Sequence, residues 1–88
     1  MIEVLAWTKE AWGDYVYWQS QDRKRLKRIN KLISDTLRTP YDGIGKPEPL
    51  KENLSGFWSR RIDESNRLVY VVDNNRLTII SCRYRYEK

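Results

Sequence analysis

Apolar positions change their spacing twice along the chain: a short apolar run, then steps of three and four, then alternation. IEVLAW is the short run and predicts a first strand. Thr8 follows as a helix cap, with Glu10 favourable in the first turn. Across TKEAWGDYVYWQSQ, Ala11, Tyr15 and Trp18 recur on one helical face, with Trp12 and Val16 beside them. Asp22 restarts a helix in which Leu26, Ile29, Ile33 and Leu37 form the apolar face, flanked by Leu32. Arg23, Lys24, Arg25, Lys27, Arg28 and Lys31 fill the other side. The spacing therefore predicts an antiparallel helix pair with a short connection. Thr39 and Pro40 end it, because the residue before proline is pushed out of helical dihedrals.

Three prolines and two glycines lie between Pro40 and Pro49, so this stretch reads as an ordered loop. FWSRRI, RLVYVVD and RLTIISCRYRY then read as successive strands. Turns fall at Asp63, Glu64, Ser65 and Asn66, and again at Asp73, Asn74 and Asn75. The predicted order is β-α-α-β-β-β, an α+β domain spanning 1–88 with the helix pair packed on an antiparallel sheet.

Strand parity separates two sheet faces. Leu68, Tyr70 and Val72 share one face, and Arg67, Val69 and Val71 the other. In the last strand, unbroken alternation places Leu77, Ile79, Ser81, Arg83 and Arg85 against Ile80, Cys82, Tyr84 and Tyr86. One face is then apolar throughout and takes the helices. The other turns cationic at one end, with Arg67, Arg83 and Arg85 together. Like charges that close are destabilising unless an anion relieves them, which marks a candidate anion site. The plainer reading is that these arginines splay into water.

Glu48 sits between Pro47 and Pro49, whose rings fix φ and stiffen the backbone around one carboxylate. A rigidly held carboxylate near arginines has the makings of a general base. Alternatively, Lys46 and Glu48 are ordinary loop charges. Arginines stabilise the negative charge of a pentavalent phosphorane. Carboxylate plus arginines, without a metal cluster, is what a metal-independent ribonuclease needs, where the RNA 2′-OH attacks the adjacent phosphate. The leaving oxygen wants an acid, and histidine suits that task. The chain has none.

Composition adds limits. At 88 residues, with 40% hydrophobic and 33% charged, the chain supports one small core. A net charge of +5 points toward a polyanion or an acidic protein partner, or toward surplus surface lysine. A single cysteine excludes an internal disulfide and, without histidine, a zinc site, so no metal or cofactor is expected. Cys82 reads as a small buried strand residue. Trp7, Trp12 and Trp18 read as core or helix-packing residues, and Tyr84 and Tyr86 as bases' stacking partners or hydrogen-bond donors. No signal peptide or membrane span is evident, which gives a cytoplasmic expectation.

The stretch GKPEPLKENLSGFWSRRI, followed by RLVY and the closing CRYRY, resembles the YoeB (Txe) family of bacterial toxins in the RelE/ParE superfamily. YVYWQ, INKLISDT and TPYDG extend the resemblance over nearly the whole chain. It implies the compact RelE-like, microbial-ribonuclease-like fold. It implies a toxin of a type II toxin–antitoxin system that enters the A site of the 70S ribosome and cleaves mRNA there. The implied partners are a YefM/Phd-type antitoxin, operator DNA reached only through the antitoxin complex, and a second copy of the chain in a homodimer. By position, Glu48 matches the family's general base, Arg67 its transition-state arginine and Tyr86 the terminal tyrosine beside the acid. Lys51 and Arg61 match basic residues near the scissile phosphate, and Arg83 joins them as an RNA-binding candidate. The family's acid is a histidine between two tyrosines; here that position is Arg85, which implies an impaired acid step. Two other readings stand beside the nuclease: a binding module without chemistry, and a gyrase-directed toxin, against which the Glu48 loop and the aromatic end of the chain speak.

Overall fold

The computed structural model describes residues 1–84. Strand β1 (Val4–Trp7) leads into helices α1 (Lys9–Gln21) and α2 (Arg23–Arg38), followed by β2 (Glu48–Pro49), β3 (Trp58–Arg61), β4 (Arg67–Asp73) and β5 (Arg76–Ser81). The sheet runs β1-β5-β4-β3-β2. Strands β3, β4 and β5 form the expected antiparallel run, and β2 adds to it, antiparallel to β3. The sheet as a whole is mixed, because β1 pairs parallel to β5, with Val4 opposite Arg76 and Trp7 opposite Ile79. A parallel pair needs a long connection, and nearly the entire chain lies between these two strands. The extra strand is β2, where Glu48 and Pro49 pair with Ser59 and Trp58 rather than remaining in the loop.

The helices form where the sequence places them. Thr8 Oγ1 accepts the Ala11 N–H at 3.0 Å and donates to the Ile80 carbonyl at 2.9 Å, capping α1 and tying it to β5. Asp22 ends α1 by donating its N–H to the Trp18 carbonyl, and its carboxylate caps α2 by accepting from Lys24 and Arg25. One residue thus closes one helix and opens the next, so the pair turns back on itself with no loop. Ile29, Leu32 and Ile33 of α2 and Ala11 and Trp18 of α1 cover Leu68, Tyr70, Leu77 and Ile79 of the sheet. Trp18 is buried as expected, and Trp7 packs against this core. Trp12 departs from the expectation: it is 52% exposed and stacks only along the edge, 5.8 Å from Trp7 and 5.9 Å from Tyr15.

Parity in β5 is corrected by its register with β4 and, further along, by a bulge. Tyr70 pairs with Ile79 but Val69 pairs with Ser81, so Ile80 is an extra residue on its strand. Ahead of the bulge, Leu77 and Ile79 pair with Val72 and Tyr70, so both lie fully buried on the helix side and not on the face of Arg67. Past the bulge, Ser81 joins Val69 on that open face, and Cys82 returns to the core. Thr8 favours the irregularity, since its N–H takes the Ile79 carbonyl while its hydroxyl takes that of Ile80.

Cys82 is held from three sides by α1. Its N–H donates to Asp14 Oδ2 at 3.0 Å, its carbonyl accepts from Trp18 Nε1 at 2.8 Å, and its Sγ faces the Ala11 carbonyl. Burial, with the Asp14 charge nearby, pushes its thiol up to about 12. Native protein is accordingly expected to resist alkylation by iodoacetamide at pH 8 and to react once unfolded in guanidinium, as followed by mass spectrometry. Rapid labelling of the native protein would contradict the buried placement.

Candidate functional site: a carboxylate and an arginine on the open sheet face

The sheet face turned away from the helices carries the candidate site. Cross-strand register aligns Glu48 with Ser59 and Ser59 with Val69; one step along, Arg61 lies opposite Arg67. Side chains of opposed residues share a face. Glu48, Ser59, Arg61 and Arg67 therefore project together, while Trp58 and Arg60 project to the helices. Arg67 Nη1 donates to Ser59 Oγ at 2.7 Å and stands 3.3 Å from Glu48 Oε2. Ser59 is completely buried beneath them; the Glu48 side chain is 50% exposed and that of Arg67 17%. A half-exposed carboxylate beside a largely covered cation can meet a ligand from solvent.

What holds Glu48 in place is a buried node on the reverse face. Arg60 has no solvent exposure. Its Nη1 donates to Asp35 Oδ2 at 2.9 Å and to the Ile44 carbonyl at 3.1 Å; its Nη2 reaches the Thr39 and Asp42 carbonyls at 2.6 and 3.0 Å. Nε faces Tyr70 Oη at 3.3 Å, and that hydroxyl donates to the Pro40 carbonyl. Asp35 also accepts the Ile44 N–H and pairs with Arg38. The Ile44 N–H, Arg38 and Arg60 hydrogen bonds together hold its carboxyl down at about 2. The 39–45 loop is thereby gathered around one guanidinium. Gly45 completes it at φ +80°, where an added Cβ would stand 2.7 Å from Leu32 Cδ2, and its carbonyl accepts the Arg61 N–H. Three residues later the chain reaches Glu48, with φ fixed on either side by proline.

A family model described as the YoeB-like toxin of bacterial type II toxin–antitoxin systems matches residues 7–86. The chain belongs to this YoeB family. It is 61% identical to the toxin YoeB of Escherichia coli K12 over 82 residues, covering 93% of this chain and 98% of that one. Its fold superposes on a YoeB/ParE toxin from Agrobacterium tumefaciens with a TM-score of 0.93 at 46% identity, covering 96% of this chain and all of the other. A YoeB–YefM complex from Staphylococcus aureus contains a chain matched with a TM-score of 0.87 at 44% identity, over 98% of this chain and 99% of that one.

Within this YoeB-family fold the remaining candidates separate. Arg61 is exposed and, with Asp63, Glu64 and Arg67, lines an open cleft of about 270 Å³. Lys51 is exposed just ahead of a short 3₁₀ turn, Glu52–Leu54. Arg83 does not join Arg67: its guanidinium lies 3.5 Å over the Tyr17 ring of α1 and 4.5 Å over that of Tyr84. The expected cluster of three arginines on one face is thus corrected at Arg83, because the strand has ended and the chain turns toward the helices. Arg85 and Tyr86 lie outside the described residues. Tyr84, the last one described, adopts φ +66°; its carbonyl accepts the Arg67 N–H at 3.1 Å and its N–H donates to Asn66 Oδ1 at 2.6 Å. Asn66 in turn donates to Asp63, which Arg25 Nε meets at 2.7 Å. Burial opposes ionisation of Asp63, but the bonds from Arg25, Ser65 and Asn66 outweigh it and hold the carboxyl below its ordinary value.

Ser59, Arg60, Asp35 and Asn66 were not singled out by motif. Arg60 had a signal: in FWSRRI alternation puts it on the face of Trp58 and Ile62, an arginine at a core position. Among the described residues no group of three or more His, Cys, Asp or Glu side chains is arranged to hold a metal ion, and no helix is long and apolar enough to cross a membrane.

Proposed function

We propose that this chain is a ribosome-dependent mRNA endoribonuclease in which Glu48 is the general base and Arg67 the transition-state cation. The observation that carries the reading is the Glu48–Arg67 pair, converging over Ser59 on an open face of the sheet. Glu48 takes the proton of an RNA 2′-OH, and the 2′-oxygen bonds to the adjacent phosphorus. The bond from phosphorus to the 5′-oxygen breaks, leaving a 2′,3′-cyclic phosphate and a 5′-oxygen that must gain a proton. Arg67 offsets charge on the phosphorane, with Arg61 and Lys51 supplying further positive potential along the backbone of the RNA. By the resemblance, Tyr86 matches the family's terminal tyrosine and Arg85 its acid position. No metal or cofactor enters this chemistry.

The partners follow the same reading: mRNA in the A site of the 70S ribosome, and a YefM/Phd-type antitoxin whose acidic segment covers the basic face. The Staphylococcus aureus relative found with YefM supports an antitoxin of that kind. Operator DNA is reached only through the toxin–antitoxin complex, a homodimer is a further state open to the chain, and the compartment is the bacterial cytoplasm. The missing histidine favours one second reading, a catalytically dead module that keeps ribosome and antitoxin binding.

Cleavage of mRNA on programmed ribosomes decides between them. The expected result is A-site cleavage by the Arg85→His variant, and slower cleavage by the chain as it stands. Both are expected to fall by roughly 10²–10⁴ when Glu48 becomes Gln, which keeps the shape and removes the base. Ribosome binding without cleavage by either protein would leave the binding module.

A further inference from the structure

We propose that Ser59 is a positioning residue that keeps Arg67 from closing onto Glu48, an inference that rests on the base and cation roles given above. The same nitrogen of Arg67 faces two oxygens. It stands 2.7 Å from the neutral Ser59 hydroxyl and 3.3 Å from the charged Glu48 carboxylate. Left to charge alone the order would be reversed, because ammonium or guanidinium to carboxylate bonds close to about 2.7–2.9 Å and are about twice as strong as neutral ones.

The reason lies in where each group is anchored. Ser59 has no solvent exposure and is flanked in the ladder by Glu48 on β2 and Val69 on β4. Its Oγ is a fixed point in the floor of the site. Arg67 reaches that floor from the neighbouring strand, and Glu48, half exposed, stands at the rim. The hydroxyl therefore sets how far the guanidinium extends toward the carboxylate. A closed, two-bond bridge would occupy the oxygens that must accept the 2′-OH proton and would turn the guanidinium edge away from a phosphate. With Ser59 beneath, the two groups sit as neighbours rather than as a sealed pair.

Three substitutions separate this role from simple packing. Ser59→Ala removes the acceptor; Ser59→Cys nearly keeps the volume but offers only a weak one; Ser59→Thr keeps the hydroxyl. Crystal structures of the three, solved beside the parent, read the Arg67-to-Glu48 separation directly. In Ala and Cys the separation is expected to close to about 2.9 Å or less, and in Thr to stay as in the parent. Kinetics on programmed ribosomes, in the Arg85→His background, supply the second measurement. There Ala and Cys are expected to lower kcat by roughly 10- to 100-fold with KM unchanged, and Thr to restore it. An Arg67 that keeps its parent distance in both Ala and Cys overturns the proposal, as does an unchanged kcat. If no variant cleaves RNA at all, the nuclease reading fails, and the crystal structures still decide whether Ser59 sets the arginine.

Discussion

Changing Arg85 to histidine is expected to raise mRNA cleavage on programmed ribosomes by roughly 10²–10⁴, the rate a general acid contributes. In the proposed reaction the 5′-oxygen leaves as an alkoxide unless it is protonated in the transition state. A guanidinium keeps its proton to beyond about pH 12 and cannot surrender it near neutrality. An imidazolium titrates near pH 6.5 and can. The proposed base and cation already stand together: Arg67 is seated on Ser59, beside Glu48. The backbone of Arg67 also bonds to the Tyr84 carbonyl, one residue before position 85. If the proposed base and cation roles hold, a proton donor at position 85 should recover most of the rate. The histidine variant should also lose kcat as pH rises above its imidazole midpoint, a limb the parent lacks. Equal rates in the two proteins, with no new limb, would mean that water or another group protonates the leaving oxygen and that position 85 is not the acid.

Much of the fold was legible because its signals are local. The cap at Thr8, the double duty of Asp22 and the apolar steps of α2 are all written within a few residues of where they act. The parallel pairing of β1 with β5 was not legible, since it joins segments separated by most of the chain and leaves no periodic trace. The bulge at Ile80 was equally hidden. Thr8 meets the two successive carbonyls of Ile79 and Ile80 beside it, the latter across 72 positions, while the faces of Leu77 and Ile79 are set by their register with Val72 and Tyr70. Arg83 was missed for another reason, since the strand ends at Ser81 and its guanidinium turns to the Tyr17 ring, whereas Glu48 and Arg67 stand together. Motif reading reaches the groups proposed to meet the substrate. It does not reach Ser59 or Asn66, whose importance comes from what they touch.

Removing Arg60 is expected to destabilise the protein by about 3–5 kcal/mol, the cost of breaking a buried ion pair from one side. For a chain of this size that lowers Tm by on the order of 15 °C or more in thermal melts at pH 7. Arg60→Met fills similar space but withdraws the donors from the Thr39, Asp42 and Ile44 carbonyls together. Arg60→Lys should recover only part of the loss, because one ammonium cannot span the places the guanidinium fork reaches. Acid makes a second, independent reading of the node. The Asp35 carboxyl is held at about 2, below its ordinary 3.8, so the unfolded chain binds its proton more readily. Its stabilising effect is therefore complete above about pH 4 and is lost as the pH falls through about 2. In Arg60→Met one of the bonds that depress that carboxyl is gone, and the loss should begin at higher pH. Cleavage should fall with the stability, since the 39–45 loop delivers the chain to Glu48 and its Gly45 carbonyl is bonded to Arg61. A Tm within a few degrees of the parent would mean that the loop is held by its own turns and prolines, and that Arg60 is a passenger in the core.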